Sequence, residues 1–573
     1  MPEFYRQNPS LLAGFLILAC CASLAHAQAV VPPDAGSLQR QIEAASQPPA
    51  VPATAPQIAT PMPEAQKGAQ VSVQGFSITG NSLIASDELL ALLQDRIGQT
   101  LTLAELEHAA QRIAEHYRQR GWFVRAYLPA QDITDGHIRI HIVEGRFDGV
   151  RLQTPVSTLR ANADFVQRIV GNDLISGEPL AAARLERGLL LANDLPGIRA
   201  TGILEAGEQP GTTALALSVA DTPFVTGDLG LNNHGIKATG RAQLSGGLAL
   251  NNLGGNGDRL SLRGLLARDI ASAALNYSLP LGSNGWRLGL NASHLDYKLG
   301  KQYKPLNADG KANSYGATLS WAVLRSSRKN LTLSGRIERR DYQDDMLNAP
   351  LRRQRIDAFS LGLEGDLIDR FGGGAYNSGS LQLTHGRLDL RGLAGDIALD
   401  QAGPRAQGGY SKLTLRLARN QTLDQHWSLQ INLAGQYADR NLASSEKFSL
   451  GGPYGIRAYP VNEAMGDHGL LATLELRRLI AQGLTASAFI DSGRIQLHHR
   501  TWPGWQGGGS TPNHYSLTGA GFGLTWSAPG NWYLSAAIAK PLGSNPGRDL
   551  NDANNDGSHH RSTRGWLTLH KFF

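Results

Sequence analysis

The C-terminal part of the chain alternates apolar and polar residues in short segments. The clearest segment places Trp427, Leu429, Ile431, Leu433 and Tyr437 on one face, with polar residues between them. A period of two predicts a β-strand with one apolar and one polar face. About sixteen such segments follow Phe224, with roughly 22 residues for each strand and its connection. Helical periodicity disappears from this part of the sequence.

Two architectures bury the apolar faces of such strands. In a soluble sandwich they meet a second sheet, whereas in a closed transmembrane barrel they meet lipid and the polar faces line a lumen. The length of the pattern and the alternating strand that ends on Phe572 and Phe573 favour the barrel. For residues 222–573 we therefore predict an all-β transmembrane barrel of about 16 antiparallel strands, which is wide enough for an aqueous channel.

Residues 71–221 show another order of elements, and this order occurs twice. In residues 71–146 a strand is followed by helices over 86–97 and 103–120 and by strands over 123–128 and 137–143; a capping box at Thr102 and Glu105 opens the second helix. Residues 147–221 repeat it, with a strand from Val150, helices over 159–170 and 181–193, and strands over 201–204 and 213–219. The repeat predicts two α+β (βααββ) domains.

The first 27 residues have the features of a secretory signal peptide. Arg6 precedes an apolar run that ends at Leu24, and Ala25-His26-Ala27 provides a small-residue cleavage site. Both cysteines, Cys20 and Cys21, lie in this segment. The mature chain would then contain no cysteine, which excludes a disulfide or a catalytic thiol.

Residues 28–46 contain a predicted helix over Asp34–Ala45, with Leu38 and Ile42 on one side. Such a short helix is marginal by itself. Residues 47–70 hold six prolines and read as an extended linker. Two interpretations remain open: a disordered N-terminal tail, or a helix that docks elsewhere on a flexible leash.

Composition excludes several functional classes. The net charge of +6 is small for 573 residues, and Lys and Arg do not cluster with aromatic residues, so we expect no nucleic-acid partner. Residues 552–557 match the first half of a calcium loop, but Thr563 occupies the position of the bidentate carboxylate. The pairs His498–His499 and His559–His560 lack ligand partners at diagnostic spacing. We expect no metal, no cofactor and no enzymatic activity.

The signal peptide, leashed helix, paired repeats and large barrel together resemble the two-partner secretion transporters (TpsB), the haemolysin secretion/activation proteins of the ShlB/FhaC/HecB type. They belong to the superfamily that includes BamA. The repeats are similar to POTRA domains, most clearly over residues 117–131. The resemblance also covers two barrel motifs. One is the inward loop, residues 451–459, whose tip reads Ile456, Arg457, Ala458 and Tyr459, and the other is Phe489, Asp491 and Gly493.

Two residues of the tip depart from the usual Val-Arg-Gly-Tyr of the family. Ile456 replaces Val, and Ala458 replaces Gly. Because alanine adopts a positive φ less readily than glycine, we expect the tip to have less backbone freedom.

Alternation along residues 484–493 places Phe489, Asp491 and Gly493 on the polar, inward face. A carboxylate inside the lumen needs a partner, and the guanidinium of Arg457 supplies a bidentate one. We therefore predict an Arg457–Asp491 ion pair. It either holds the inward loop in the pore, as the resemblance implies, or only stiffens the barrel.

The resemblance implies a pore in the outer membrane of a Gram-negative bacterium, with the POTRA domains in the periplasm. It would export an unfolded partner protein of the adhesin, haemolysin or contact-inhibition toxin type without ATP, as a monomer surrounded by outer-membrane lipid. Two alternatives are a barrel-assembly factor and a passive porin. Paired repeats and a leashed helix argue against an assembly factor, and a porin has no use for periplasmic repeats.

Two parts of this mechanism can be assigned to residues. The substrate is expected to add to an exposed sheet edge of the POTRA domains, and Phe123, Tyr127 and Leu128 are candidate contacts unless they belong to the core. The helix in residues 28–46 is a candidate pore plug, because the linker gives it the reach to enter the lumen and leave it.

Overall fold

The computed structural model describes residues 32–45, 70–153, 159–507 and 509–573. The predicted signal peptide, residues 1–27, and the predicted linker up to residue 69 lie outside the described residues. Helix α1 spans Ala35–Ala45, which agrees with the predicted helix to within one residue. No helix in the described ranges is long and apolar enough to cross a membrane.

The first repeat contains the predicted strand-helix-helix-strand-strand order and one additional strand pair. Its elements are β1 (Gln70–Ser72), β2 (Gly75–Thr79), α2 (Ser86–Ala91), β3 (Thr100–Thr102), α3 (Leu103–Gln119), β4 (Val124–Tyr127) and β5 (His137–Glu144). The main sheet has the order β2-β5-β4, and β1 pairs with β3. Leu89, Ile113 and Tyr117 of the helices pack against Ile140 and Ile142 of β5.

One helix of this repeat is shorter than the prediction. The helix expected over 86–97 ends at Ala91 and is followed by a 3-10 turn over Gln94–Arg96. Gly98, with φ of +82°, then turns the chain into β3. A glycine adopts this left-handed conformation without steric cost. The helix itself ends earlier because the N–H groups of Leu92 and Leu93 bond three residues back, to Leu89 O and Leu90 O, as in a 3-10 turn.

The second repeat has the same order without the additional strand pair. Its elements are β6 (Arg146–Leu152), α4 (Ala163–Gly171), α5 (Ala182–Asn193), β7 (Ile198–Ala206) and β8 (Thr212–Asp221), and its sheet has the order β6-β8-β7. Strand β6 begins four residues before the predicted Val150 because Arg146 pairs with Thr212 of β8. Helix α4 begins later than predicted because the Asn162 side chain caps it by accepting from the Phe165 N–H.

Sixteen antiparallel strands close into a barrel, as predicted. They are β9 (Val225–Asn232), β10 (Gln243–Asn251), β11 (Arg259–Ala267), β12 (Ile270–Leu281), β13 (Trp286–Lys298), β14 (Asp309–Arg325), β15 (Lys329–Met346), β16 (Ala349–Asp369), β17 (Ala375–Asp389), β18 (Gly408–Thr422), β19 (Trp427–Ala438), β22 (His468–Ala481), β23 (Leu484–Gln496), β24 (His514–Ala528), β25 (Trp532–Pro541) and β26 (Arg564–Phe572). The short strands β20 (Phe448–Ser449) and β21 (Met465–Gly466) lie between β19 and β22, and helix α6 (Ala394–Ala402) lies between β17 and β18. Residues 568–572 of β26 pair with residues 228–232 of β9 and close the circle.

The two faces of the barrel wall differ as the alternation predicts. On β23, Ile490 is 42% exposed on the outer face, whereas Phe489 and Asp491 are buried on the inner face. Outward leucines such as Leu290, Leu381 and Leu474 are likewise exposed. The barrel therefore has an apolar outer wall and a polar interior.

The second repeat lies against one end of the barrel, which we call the near end; the opposite end is the far end. The Asn162 N–H donates to Gly255 O of the β10–β11 turn at 2.8 Å. Arg325, at the end of β14, donates from Nε and Nη2 to the two carboxylate oxygens of Asp194 at 2.7 and 2.8 Å. These contacts orient the repeat relative to the lumen.

The Arg325–Asp194 pair is testable as a connection between the repeat and the barrel. A partly exposed ion pair contributes about 0.2–1 kcal/mol. For Arg325→Ala we expect amide hydrogen exchange at the C-terminal end of α5 to accelerate by up to about fivefold, because local opening becomes easier. Arg328→Ala, on the same turn but outside this pair, is the matched control. Equal exchange in both variants and the unmodified chain would contradict a connecting role for the pair.

Candidate functional site

The loop between β19 and β22, residues 439–467, folds back into the barrel from the far end. We call it the inward loop. Its tip is compact: the Ile456 N–H donates to Leu450 O at 2.7 Å, and the Gly451 N–H donates to Glu463 O at 3.0 Å. A Cβ atom on Gly451 would lie 2.2 Å from Pro460 O, and one on Gly455 would lie 2.0 Å from Leu450 O. Glycine is therefore required at both positions.

Arg457 at the tip contacts Asp491 on the inner face of β23. Its Nη2 donates to Asp491 Oδ1 at 2.8 Å, and its Nε donates to Oδ2 at 2.9 Å. The Arg457 backbone N–H donates to the same Oδ2 at 3.1 Å, and Thr473 Oγ1 donates to Oδ1 at 3.0 Å. Asp491 is completely buried, so the contact is a bidentate ion pair shielded from solvent.

A second carboxylate, which the sequence analysis did not assign, completes the Arg457 site. Arg457 Nη1 donates to Glu475 Oε2 at 2.7 Å, and Arg477 Nε donates to Glu475 Oε1 at 2.8 Å. Leu474 and Leu476 alternate with Glu475 along β22, and this alternation indicates that Glu475 lies on the polar face. The cross-strand pairing of Glu475 with Phe489, which brings it beside Asp491, is visible only in the structure.

The remaining motif residues shape the space around the guanidinium. The Phe489 ring lies under Arg457, with 3.2 Å between the guanidinium carbon and the ring centroid. A Cβ on Gly493 would lie 2.5 Å from Leu450 Cδ2, so this glycine allows the loop to approach the wall. Ile456, Ala458 and Tyr459 are buried in the same apolar cluster as Phe489. All seven motif residues therefore meet at one place.

Ala458 does not need the backbone freedom of the glycine that it replaces. It is not among the residues with positive φ. Its Cβ instead faces Gly519 on β24, where an added Cβ would lie 2.3 Å away. A small residue on the wall accommodates the methyl group of Ala458.

The electrostatics of the site favour the charged state of Arg457. Burial acts to lower the pKa of Arg457, but hydrogen bonds and charge interactions with Asp491 and Glu475 outweigh it and raise the pKa. A buried charge that loses its partner is strongly destabilising. The inward loop is therefore held where both carboxylates can reach the guanidinium.

Helix α1 lies inside the lumen, between the barrel wall and the inward loop. Its apolar side, Ala35, Leu38 and Ile42, belongs to a buried cluster with inward residues of the barrel. Arg352 Nη1 donates to Asp34 Oδ2 at 2.8 Å, and the Ala35 N–H donates to Asp344 Oδ1 at 2.8 Å. Of the two interpretations left open by the sequence, the structure shows the docked helix.

The inward loop contacts the other side of helix α1. Arg40 Nη1 donates to Ser444 O at 3.2 Å and also to Lys447 O, and its Nη2 donates to Asn462 Oδ1 at 3.1 Å. A Cβ on Gly36 would lie 2.9 Å from Ser445 Cβ, so helix and loop are in close contact. The two segments fill this part of the lumen together.

The three candidate substrate contacts in the first repeat lie in different surroundings. Phe123 packs against the core of the second repeat, and Leu128 packs against the core of the first. Tyr127 is 37% exposed on β4, at the edge of its sheet. The apolar packing of Phe123 and Leu128 leaves Tyr127 as the exposed member of the three.

The loop that contains His559 and His560 brings Asp552 beside them, a proximity that sequence spacing did not indicate. These groups have other partners: Arg548 Nε donates to Asp552 Oδ1 at 2.6 Å, and the Arg561 N–H donates to His559 Nδ1 at 3.3 Å. Residues 552–557 form part of the same hydrogen-bonded loop. We assign no metal role to this group.

Comparison with known proteins identifies the family. Residues 211–526, more than half of the chain, match the family described as haemolysin secretion/activation protein ShlB/FhaC/HecB. The chain belongs to this family. Residues 71–145 match the ShlB-type POTRA domain and coincide with the first repeat.

Individual relatives agree with this assignment. The heme/hemopexin transporter protein HuxB from Haemophilus influenzae (strain 86-028NP) is 29% identical over 474 residues, which cover 81% of this chain and 82% of HuxB. The outer membrane transporter CdiB from Dickeya dadantii (strain 3937) is 25% identical over 459 residues, which cover 76% and 78% of the two chains.

Solved structures share the fold. CdiB from Escherichia coli aligns with a TM-score of 0.64 at 19% identity, over 100% of both chains. BamA from Haemophilus ducreyi lacking POTRA domains 1–3 aligns with a TM-score of 0.53 at 16% identity, over 88% of this chain and 100% of that one. The barrel with POTRA domains is therefore the architecture of both proteins.

Family membership fixes the orientation of the ShlB-family barrel. The protein is an outer-membrane transporter whose POTRA domains are periplasmic. The near end of the barrel therefore faces the periplasm and the far end faces the cell surface. The inward loop enters the lumen from the surface side.

We expect Arg457→Ala to reduce export of the partner protein about tenfold or more, with little effect on barrel assembly. The substitution leaves Asp491 and Glu475 without their common partner, which costs about 3–5 kcal/mol in a dry site and less where water enters. Secretion of the partner at matched membrane levels measures the effect. Arg457→Lys should be intermediate, because lysine cannot form the bidentate contact.

Asp491→Ala should resemble Arg457→Ala, and the double variant should be no worse than either single variant, because both remove one shared interaction. Arg477→Ala is the control, since Arg477 contacts Glu475 without touching Asp491. Unchanged export by both Arg457→Ala and Asp491→Ala would reduce the ion pair to a stiffening element of the barrel.

Proposed function

We propose that this chain exports one partner protein, in an extended form, from the periplasm to the cell surface through the barrel lumen. The observation that carries the proposal is that helix α1 and the inward loop lie inside the lumen. A closed 16-stranded barrel is wide enough for an aqueous channel. Here two segments of the same chain, α1 and the inward loop, enter the lumen and are held there by ionic and hydrogen-bonded contacts that can be broken.

The names of two relatives support a secreted protein as the partner. HuxB is named for heme/hemopexin transport, and HpmB from Proteus mirabilis is named a hemolysin transporter. For this chain we propose a secreted protein of the adhesin, haemolysin or contact-inhibition toxin type. The proposal includes no catalytic step, no cofactor and no nucleic-acid partner.

Direction of transport comes from the substrate in this proposal. The periplasm supplies no ATP, so movement must be driven by a difference in free energy between the two ends of the channel. A chain that enters extended and folds outside buries apolar surface there, which makes its return unfavourable. The transporter provides the path and prevents premature folding within it.

Substrate recognition is assigned to the POTRA domains by β-augmentation, in which an extended chain adds to an exposed sheet edge. Strand β4 is an edge of the first sheet and β7 is an edge of the second. Each carries an exposed apolar side chain, Tyr127 at 37% and Ile203 at 64%. Main-chain hydrogen bonds would provide affinity, and these side chains would add contacts to the bound substrate chain.

One chain is sufficient for this function. The barrel closes on its own strands, so a single copy encloses a complete lumen. The exposed leucines of the outer wall match the apolar interior of a bilayer. We therefore propose a monomer whose wall contacts outer-membrane lipid.

Deletion of residues 71–219 should abolish both binding of the partner and its secretion, because it removes both POTRA domains. Tyr127→Asp should weaken binding about tenfold or less, since the main-chain hydrogen bonds remain and only one side-chain contact is lost. Binding of the secretion domain of the partner to the purified transporter measures both effects. Intact binding and secretion after the deletion would contradict the proposed recognition, and loss of many outer-membrane barrels on depletion of the chain would indicate an assembly factor instead.

Deletion of residues 28–46 should raise single-channel conductance in planar bilayers, because the helix no longer occupies the lumen. Replacement of residues 47–69 by a Gly/Ser sequence of equal length is the control, and it should leave conductance unchanged, because the helix and its contacts remain. An unchanged conductance after removal of the helix would mean that α1 does not limit the pore.

A further inference from the structure

Glu463 of the inward loop is a buried carboxylate with neutral partners. It is 2% exposed, and its carboxylate accepts hydrogen bonds from the Asn545 side chain and the Asn555 backbone. Burial raises the pKa of Glu463 to about 7, although hydrogen bonds from the Asn555 backbone and the Asn545 side chain act in the opposite direction. A buried carboxylate is costly unless its hydrogen-bond partners compensate it. The hydrogen bonds from Asn545 and Asn555 therefore stabilise the buried Glu463 carboxylate.

The partners of Glu463 belong to the loop between β25 and β26, residues 542–563, which we call the final outer loop. Asn545 Nδ2 donates to Glu463 Oε1 at 2.7 Å, and the Asn555 N–H donates to Glu463 Oε2 at 2.9 Å. Asn555 Nδ2 also donates to Val461 O at 3.0 Å. Asn545 is completely buried, and its Nδ2 also donates to Asn554 Oδ1 at 2.9 Å. This second hydrogen bond helps to fix the position of the Asn545 side chain. The inward loop is thus held from the cell-surface side.

These contacts are separate from the Arg457 site. Asp491 and Glu475 lie on β23 and β22, whereas Asn545 and Asn555 lie in the final outer loop. Arg457 fixes the tip of the inward loop to the barrel wall, and Glu463 fixes the returning part of the same loop to the surface loop. The Glu463 contacts are therefore an attachment of the inward loop that is separate from the Arg457 site.

The neighbour of Glu463 contacts the N-terminal helix. Asn462 Oδ1 accepts from Arg40 Nη2 at 3.1 Å, and Arg40 is the residue through which α1 also binds the backbone of the inward loop. Asn462 holds this position with φ of +61°, a conformation that asparagine tolerates better than most residues. A shift of Glu463 would move Asn462 directly, because the two residues are adjacent in the chain.

We propose that Glu463 is a positioning residue that keeps the pore closed: its hydrogen bonds to Asn545 and Asn555 hold Asn462 where it retains Arg40, and with it the N-terminal helix, in the lumen. The final outer loop is then a clamp on the resting state, and its release from Glu463 frees the helix. The inference rests on the proposed role of α1 as a plug.

The test uses the purified full-length chain in planar bilayers. Asn545→Ala removes one donor to Glu463 from the surface loop without touching α1 or Arg457. Asn551→Ala is the matched control, because Asn551 is an exposed asparagine of the same loop. We expect Asn545→Ala to increase the time spent in the high-conductance state about tenfold, and Asn551→Ala to have no effect.

The same substitutions in a chain without residues 28–46 separate a positioning role from general weakening of the barrel. Once the helix is absent, Asn545→Ala should add nothing to the conductance. An equal increase in both backgrounds would overturn the proposal, because it would show an effect that does not act through the helix. If Asn545→Ala does not assemble, Asn555→Ala removes only the side-chain bond to Val461 and should give a smaller increase of the same kind.

The outcomes distinguish the clamp from the plug. If removal of the helix leaves conductance unchanged, the plug is wrong, whatever Asn545→Ala does. If removal of the helix raises conductance and neither Asn545→Ala nor Asn555→Ala does so in the full chain, the clamp alone is wrong.

Discussion

The arrangement of the lumen depends on one charged side chain that is brought inside the barrel on a loop. Arg457 reaches Asp491 and Glu475 on two adjacent strands, at 2.8 and 2.7 Å from its two terminal nitrogens. The carboxylates would be unfavourable without it, and Arg457 would be unfavourable without them. Close approach of the backbone is part of the same arrangement, because Gly493 and Gly519 leave space for Leu450 and Ala458 of the loop. The inward loop is therefore a fixed part of the resting structure.

The position of the N-terminal helix follows from that of the loop. Residues 444–447 of the inward loop present carbonyl oxygens to Arg40, and the barrel wall presents Arg352 and Asp344 to the start of the helix. The helix is too short to be stable alone, and its apolar side is buried between these two surfaces. Loop and helix thus occupy the lumen together, held by ionic and hydrogen-bonded contacts.

Periodicity was sufficient to predict the barrel because each strand exposes one face to an apolar environment and the other to the lumen. The same parity correctly placed Asp491 and Phe489 on the inner face. It could not identify Glu475 as a partner of Arg457, because that depends on the register between β22 and β23. It also could not distinguish Phe123 from Tyr127, since an apolar residue at a strand end packs or remains exposed according to the neighbouring domain. The docking of the helix depends on contacts more than 300 residues apart in the chain, such as Asp34 with Arg352.

The central claim is that the helix must leave the lumen for export to occur, and a reversible cross-link tests it most directly. The predicted mature chain has no cysteine, and a Cβ on Gly36 would lie 2.9 Å from Ser445 Cβ. A disulfide between Gly36→Cys and Ser445→Cys needs about 3.5–4.5 Å, which a shift of roughly 1 Å provides. Secretion of the partner should stop when the disulfide is formed and return on reduction, while each single-cysteine variant secretes under both conditions. Undiminished secretion with the disulfide fully formed would contradict the account.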